Sequence, residues 1–265
     1  MNDLQRQFQG YLSSSLLWKD KLLDLEQLNL RKATDQVLNT SIPDNLRLGH
    51  LVEHFILQEF KTDSTIELLA HNTQIIQEKE TLGEFDYLLR KDDDYLHIEA
   101  AYKFYLLDPS ISDKEINCWI GPNRKDTLLN KLTKIKEKQF PLLHHPTSVS
   151  SLDELGITTA LTLQRTYVKG QLYLPYESKF ETKILNQHAV TGFYVKSSQV
   201  INFNEAKFFF PSKHNWLIEP FNNVNWLSFD KASEFIQDQL DSKRSPMVWF
   251  KLPNGELRKA FVVWW

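Results

Sequence analysis

Apolar positions at residues 3–30 recur every three to four residues (Leu4, Phe8, Leu12, Leu16 and the leucines beyond), which predicts helix. The triplet Ser13-Ser14-Ser15 interrupts the pattern and offers a cap for a second helix near Leu16. After the turn signal Pro43-Asp44-Asn45, a helix is expected to about residue 60. Its buried stripe is Leu48, Leu51, Val52, Phe55 and Ile56, and Glu53 lies at the stripe's edge. A strand is expected at 68–78. From 84 the period changes to two. Residues 84–90 and 95–106 read as two strands joined by the charged turn 91–94. In the second strand Leu96, Ile98, Ala100, Tyr102 and Phe104 make an apolar face that must pack on something. His97, Glu99, Ala101 and Lys103 share the other face.

The helical period returns at 126–139, with Leu128, Leu132 and Ile135 inward and Lys131, Lys134 and Lys138 to one side. Pro141 and Pro146 are expected to end it, and 147–155 reads as a linker. Beyond lie predicted strands at 157–164 and 171–175 about a return at Lys169-Gly170, then at 190–196 and 207–210. A helix at 230–240 with Asp230 as its cap follows, then a hairpin of 247–252 and 257–265 about Pro253-Asn254-Gly255-Glu256. The pattern suggests a region at 1–145 and a β-rich region at 156–265 that can complete the same domain.

Composition adds limits. The 265 residues are 42% hydrophobic and 25% charged, with formal net charge −3, so the chain can form a full core and is no strongly basic nucleic-acid binder on average. One cysteine, Cys118, excludes an internal disulfide and fits a reducing compartment. The opening MNDLQRQFQGYL has no basic run followed by an apolar core, and no apolar run approaches a membrane span. A cytoplasmic protein with no membrane partner is expected. The His144-His145 pair lacks further ligands at suitable spacing and is not read as a metal site.

Candidate chemistry gathers on the 83–106 hairpin. A four-residue loop pairs Arg90 with Tyr95, and counting back sets Asp86 opposite Glu99. Opposed Cβ atoms lie about 4.5–5.5 Å apart, so the two carboxylates repel unless a cation joins them. Oxygen ligation by carboxylates suits Mg²⁺ or Mn²⁺, and Lys103 on the same face is set to act nearby. Between 124 and 138 six basic residues face two acids, a local surface suited to phosphates, with Lys125, Lys131, Lys134 and Lys138 as its contacts. Gln139, an amide on the apolar side of that helix, needs partners. The aromatics of 203–229 suit core packing first and base stacking second.

The order helix with Glu53, strand with Asp86, strand with Glu99 and a following lysine, then a basic helix, resembles the PD-(D/E)XK nuclease superfamily. The strings RLGHLVEHFI, GEFDYLLR, HIEAAYKFYL and GPNRKDTLLNKL resemble a bacterial family in that superfamily named only as a domain of unknown function. The likeness covers residues 46–140. It implies an α/β fold, a restriction-endonuclease-like central mixed sheet flanked by helices. It also implies a Mg²⁺- or Mn²⁺-dependent phosphodiesterase acting on nucleic acid, with DNA the expected substrate. Asp86, Glu99 and Glu53 match the metal-binding acids, and Gln139 a helix glutamine of the exonuclease branch. The pattern's lysine would fall at Ala101. Here it stands at Lys103, about 6.8 Å further along the strand. A non-cleaving nucleic-acid-binding module, or an assembly subunit meeting a protein partner through its aromatic C-terminal half, are the alternatives.

Overall fold

The computed structural model describes residues 2–30, 36–39 and 42–265. Asn2 caps helix α1 (Asp3–Ser13), its side chain accepting from the Gln5 amide at 2.9 Å. The serine triplet ends this helix and starts no other. Ser13 and Ser14 hydroxyls donate back to the Gly10 carbonyl, and the expected helix past Leu16 is absent. Leu17, Trp18 and Leu25 instead bury against the central sheet, and a two-residue hairpin, β1 (Lys21–Leu22) and β2 (Leu25–Glu26), turns through Leu23 and Asp24 with positive φ.

Helix α2 (Leu48–Thr62) buries Leu51, Val52, Phe55 and Ile56 of the predicted stripe, with Leu48 partly buried. Then come β3 (Ile66–Gln77), β4 (Glu80–Lys91) and β5 (Asp94–Leu107), an antiparallel meander. The β4–β5 turn is tight: Lys91 pairs with Asp94 and Arg90 with Tyr95, while Asp92 takes a positive φ. After the short α3 (Glu115–Cys118) and β6 (Trp119–Ile120) comes α4 (Leu128–Lys134), capped by Thr127. The single helix expected at 126–139 is shorter. It passes into a π turn at Ile135–Gln139 and a 3₁₀ turn at Phe140–His144. Pro146 opens a helix, α5 (Pro146–Glu154), where a linker was expected. Proline at the first helical position loses no hydrogen bond that the helix needs.

Strand β7 (Thr162–Pro175) runs straight through Lys169-Gly170, where the sequence suggested a return. Gly170 serves close packing: a Cβ there would lie 2.2 Å from the Lys103 carbonyl oxygen. Strands β8 (Val190–Lys196) and β9 (Lys207–Phe209) follow. Helix α6 (Phe229–Asp241) begins after Ser228, so Asp230 is in its first turn and is not its cap. The hairpin β10 (Met247–Lys251) and β11 (Leu257–Val263) turns at Gly255, whose φ is +83°.

Among the described residues, one mixed sheet of nine strands holds all but β1 and β2. Its order is β3-β4-β5-β7-β8-β11-β10-β9, with β6 beside β5. The centre is parallel (β5 to β7, β7 to β8, β8 to β11), and both flanks are antiparallel. Helices α1 and α2 cover the face of Leu96, Ile98 and Phe104. Helix α4 packs with Tyr105 and Leu107 on the other. Phe85 departs from simple alternation, packing with Leu88, Leu142 and Leu152 and not with Tyr87 and Leu89. The aromatics Phe203, Phe208 and Phe250 fill a further core under α6, so the dense aromatic segment largely serves packing.

Candidate functional site

The sheet forks at Asp86. Pairing of β4 with β5 runs from Lys91↔Asp94 to Tyr87↔Ile98 and stops, although both strands continue. Asp86 and Glu99 come next in register. The Asp86 carboxylate takes the ladder's place, its Oδ2 accepting from the Ala100 amide at 2.9 Å. Past this point β4 stays with β3 alone. Among the described residues, no strand pairs with this edge of β5 until β6 at Leu106.

Glu99 is fully buried beside this fork. Its Oε1 lies 3.1 Å from His97 Nε2, and its Oε2 accepts from Gln139 Nε2. Gln164 Nε2 donates to the Phe140 carbonyl at 2.6 Å and reaches His97 Nδ1 at 3.2 Å. Since that amide nitrogen can only donate, Nδ1 accepts and Nε2 carries the proton directed at Glu99. Burial pushes the His97 pKa down to about 4, so the ring stays neutral. Gln139 completes a chain. Its Oε1 accepts from Lys131 Nζ at 3.2 Å. The partners expected for this amide are thus an acid and a base inside the site.

The two carboxyl groups influence each other. Burial, then the charge of Glu99, push Asp86 up to about 7. Burial pushes Glu99 up to about 7 against the pull of Lys131. Lys131 is itself lowered by burial, while both acids pull it back. Burial thus favours the neutral form of both acids, and the Lys131 ammonium beside them pulls the other way.

A cleft of about 990 Å³ opens over the fork, lined by α2, the β5 edge and α4. Glu53 lines it but meets His50 Nδ1 at 3.2 Å, and its backbone carbonyl accepts from the Tyr87 hydroxyl. Lys103 also lines it, yet its ammonium donates to Asp126 at 2.7 Å and does not fold back to Glu99. The lysine beside the acids is Lys131, from the helix. Lys125 and Lys134 are exposed on the rim. Lys138 is exposed but not among the cleft's lining, because the wider π turn brings Gln139 inward in its stead. Arg124, counted in the basic segment, pairs with Asp108 at 2.8 Å and stacks on Trp265. Asp126, and the Gln164 side chain that sets the His97 tautomer, carried no signal in the sequence beyond their polarity.

A family model described as a domain of unknown function, DUF1853, matches residues 6–263. The chain belongs to the DUF1853 family. The DUF1853 match extends through the β-rich second half, far beyond residues 46–140. No curated protein and no solved structure matches the chain.

Among the described residues, no three His, Cys, Asp or Glu gather closely enough to hold a metal ion by themselves. The donor chemistry nonetheless fits Mg²⁺ or Mn²⁺. Mg²⁺ keeps several waters and needs only one or two carboxylates, and Asp86 with Glu99 supplies two hard-oxygen groups with a charge to neutralise. No helix among the described residues is long and apolar enough to cross a membrane.

Proposed function

We propose that this protein is a metal-dependent phosphodiesterase acting on nucleic acid, with DNA the expected substrate, and that its sheet is of the PD-(D/E)XK type. One observation carries the reading: Asp86 and Glu99 come together at the fork of β4 and β5 with Lys131 beside them, and Asp86 and Lys131 open onto a cleft with a lysine rim while Glu99 is buried behind. Asp86 and Glu99 would hold Mg²⁺ or Mn²⁺, with Glu53 on the wall of the same cleft as Asp86. The ion supplies positive charge that acidifies water and offsets the scissile phosphate.

The chain's own residues do the rest. His97 and Gln139 fix the Glu99 carboxylate by occupying both its oxygens. Lys131 supplies a preorganised ammonium where negative charge develops on the phosphate. Lys125 and Lys134 hold the strand backbone. Lys103, tied to Asp126, shapes the cleft wall.

The test is cleavage of single- and double-stranded DNA and RNA with Mg²⁺ or Mn²⁺. Asp86→Asn, Glu99→Gln and Lys131→Met are each expected to lower cleavage by at least about 10²-fold. A second reading, a non-cleaving nucleic-acid-binding module on this scaffold, is favoured by the Lys103–Asp126 and Glu53–His50 pairings. It prevails if the purified protein binds nucleic acid but cuts none with either metal.

A further inference from the structure

We propose that the cleft takes one unpaired nucleic-acid strand, laid along the uncovered edge of β5 with a base stacked on Trp216. This rests on the nucleic-acid reading above and adds the form of the substrate.

The edge comes first. In β5 the Lys103 carbonyl points toward β7, and the Ala100 amide points the other way, to Asp86. By alternation the amides and carbonyls of Tyr102 and Phe104 point the same way as that of Ala100. Among the described residues no strand pairs with them there, since β4 has left at Tyr87 and β6 begins only at Trp119. Residues 100–105 thus offer about 20 Å of free edge leading away from the carboxylates. The cleft's volume of about 990 Å³ is at the upper end for small-ligand pockets, room for a few nucleotides and far short of a duplex.

The far end of this path has a stacking platform. Trp216 lines the cleft and is only partly buried. Its ring is braced by edge-on contacts to Phe104 (5.4 Å) and Phe261 (5.0 Å). Lys213 Nζ lies 5.8 Å from its centroid, and the segment is anchored by His214 Nε2, which meets the Leu46 carbonyl at 2.7 Å. The charge balance agrees. Arg47, Lys103, Lys125, Lys131, Lys134 and Lys213 line the cleft against Glu53, Asp86 and Asp126, in a chain of net charge −3. An aromatic face beside fixed cations along a groove is how proteins hold single strands with little regard to sequence.

The experiment measures anisotropy of a labelled six-nucleotide single strand and of its blunt duplex, without divalent metal, on the full chain. The single strand is expected to bind at least about tenfold more tightly, and Trp216→Ala to weaken it about tenfold with the duplex affinity unchanged. Trp216→Phe, which keeps a stacking face, should restore most of the loss, and melting of each variant separates stacking from unfolding. If the duplex binds as well as the strand, if Trp216→Ala binds like the parent, or if polyphosphate competes as strongly as the oligonucleotide, the inference falls while the nucleic-acid reading stands. If no nucleic acid binds at all, both fall, and the free edge of β5 is better matched to an extended peptide.

Discussion

Two buried carboxylate centres lie on this one sheet. At the first, Glu59 accepts from the Tyr11 hydroxyl and meets Lys169 Nζ at 3.5 Å, and the same ammonium sits 4.3 Å from the Tyr11 ring centroid. Both charged side chains are under 10% exposed, and among the described residues the acid that meets Lys169 is Glu59. At the second, Asp86 and Glu99 bring two acids to one lysine; Asp86 and Lys131 line an open cleft, and Glu99 is fully buried behind them. The first centre is closed in access. The second has an acid in excess and a route to solvent. Burial of a charge is common to both, so it cannot mark a site. Imbalance together with access does.

The largest expected effect breaks the closed centre. Glu59→Ala leaves the Lys169 ammonium buried without its carboxylate and should cost about 3–5 kcal/mol in urea unfolding. Glu59→Leu combined with Lys169→Met should recover much of that, since an apolar pair of similar volume replaces the ion pair.

The open centre should respond with the opposite sign. Asp86→Asn, in metal-free buffer at pH 8, relieves a repelled acid while an amide oxygen still accepts from Ala100. It should raise stability by about 1–3 kcal/mol. Loss of stability would make Asp86 and Glu99 a structural pair like Glu59 and Lys169.

The pH dependence sharpens the contrast. The folded pKa values of Asp86 and Glu99 are raised to about 7, above their unfolded values, so between about 4 and 7 the folded state holds more protons at these groups. Their penalty is full above pH 7 and is relieved as pH falls toward 4. His97, lowered to about 4, acts in reverse between about 4 and 6.5, since the unfolded ring takes up protons first. The difference in melting temperature between Asp86→Asn and the parent isolates the acid. It should shrink steadily from pH 8 to pH 5.

The smallest effect concerns the Lys103–Asp126 pair, whose side chains are 33% and 39% exposed. Lys103→Ala should change stability by less than about 1 kcal/mol. It should also leave metal affinity at the carboxylates intact in calorimetric titration. Lys131→Met, by contrast, should change that affinity measurably, because Lys131 shares the acids' field.

The hairpin was legible in advance for a local reason. A charged four-residue turn and strict alternation set Arg90 opposite Tyr95, and that register alone brings Asp86 to Glu99. The stripe of α2 and the final hairpin were legible likewise, from period and turn chemistry. The misreadings share a cause too. Leucines 16–28 keep a helical spacing, but the surface of β7 claims them as an irregular layer. Lys169-Gly170 looks like a turn because glycine is permissive, whereas its missing Cβ admits the neighbouring strand. Pro146 was read as a stop and is a start.

The sequence by itself determined the register of two facing acids, the stripe of α2 and the final hairpin, since each follows from neighbours a few residues apart, and its likeness to a known superfamily implied the mixed α/β class. Only the tertiary structure decided which lysine joins the acids. Lys103 shares Glu99's strand face, yet Asp126, 23 residues on, captures it. Lys131 reaches the acids because α4 packs over β5 and a π turn swings Gln139 onto Glu99. Ion pairing and burial at that range depend on how distant segments pack, and no local pattern carries that information.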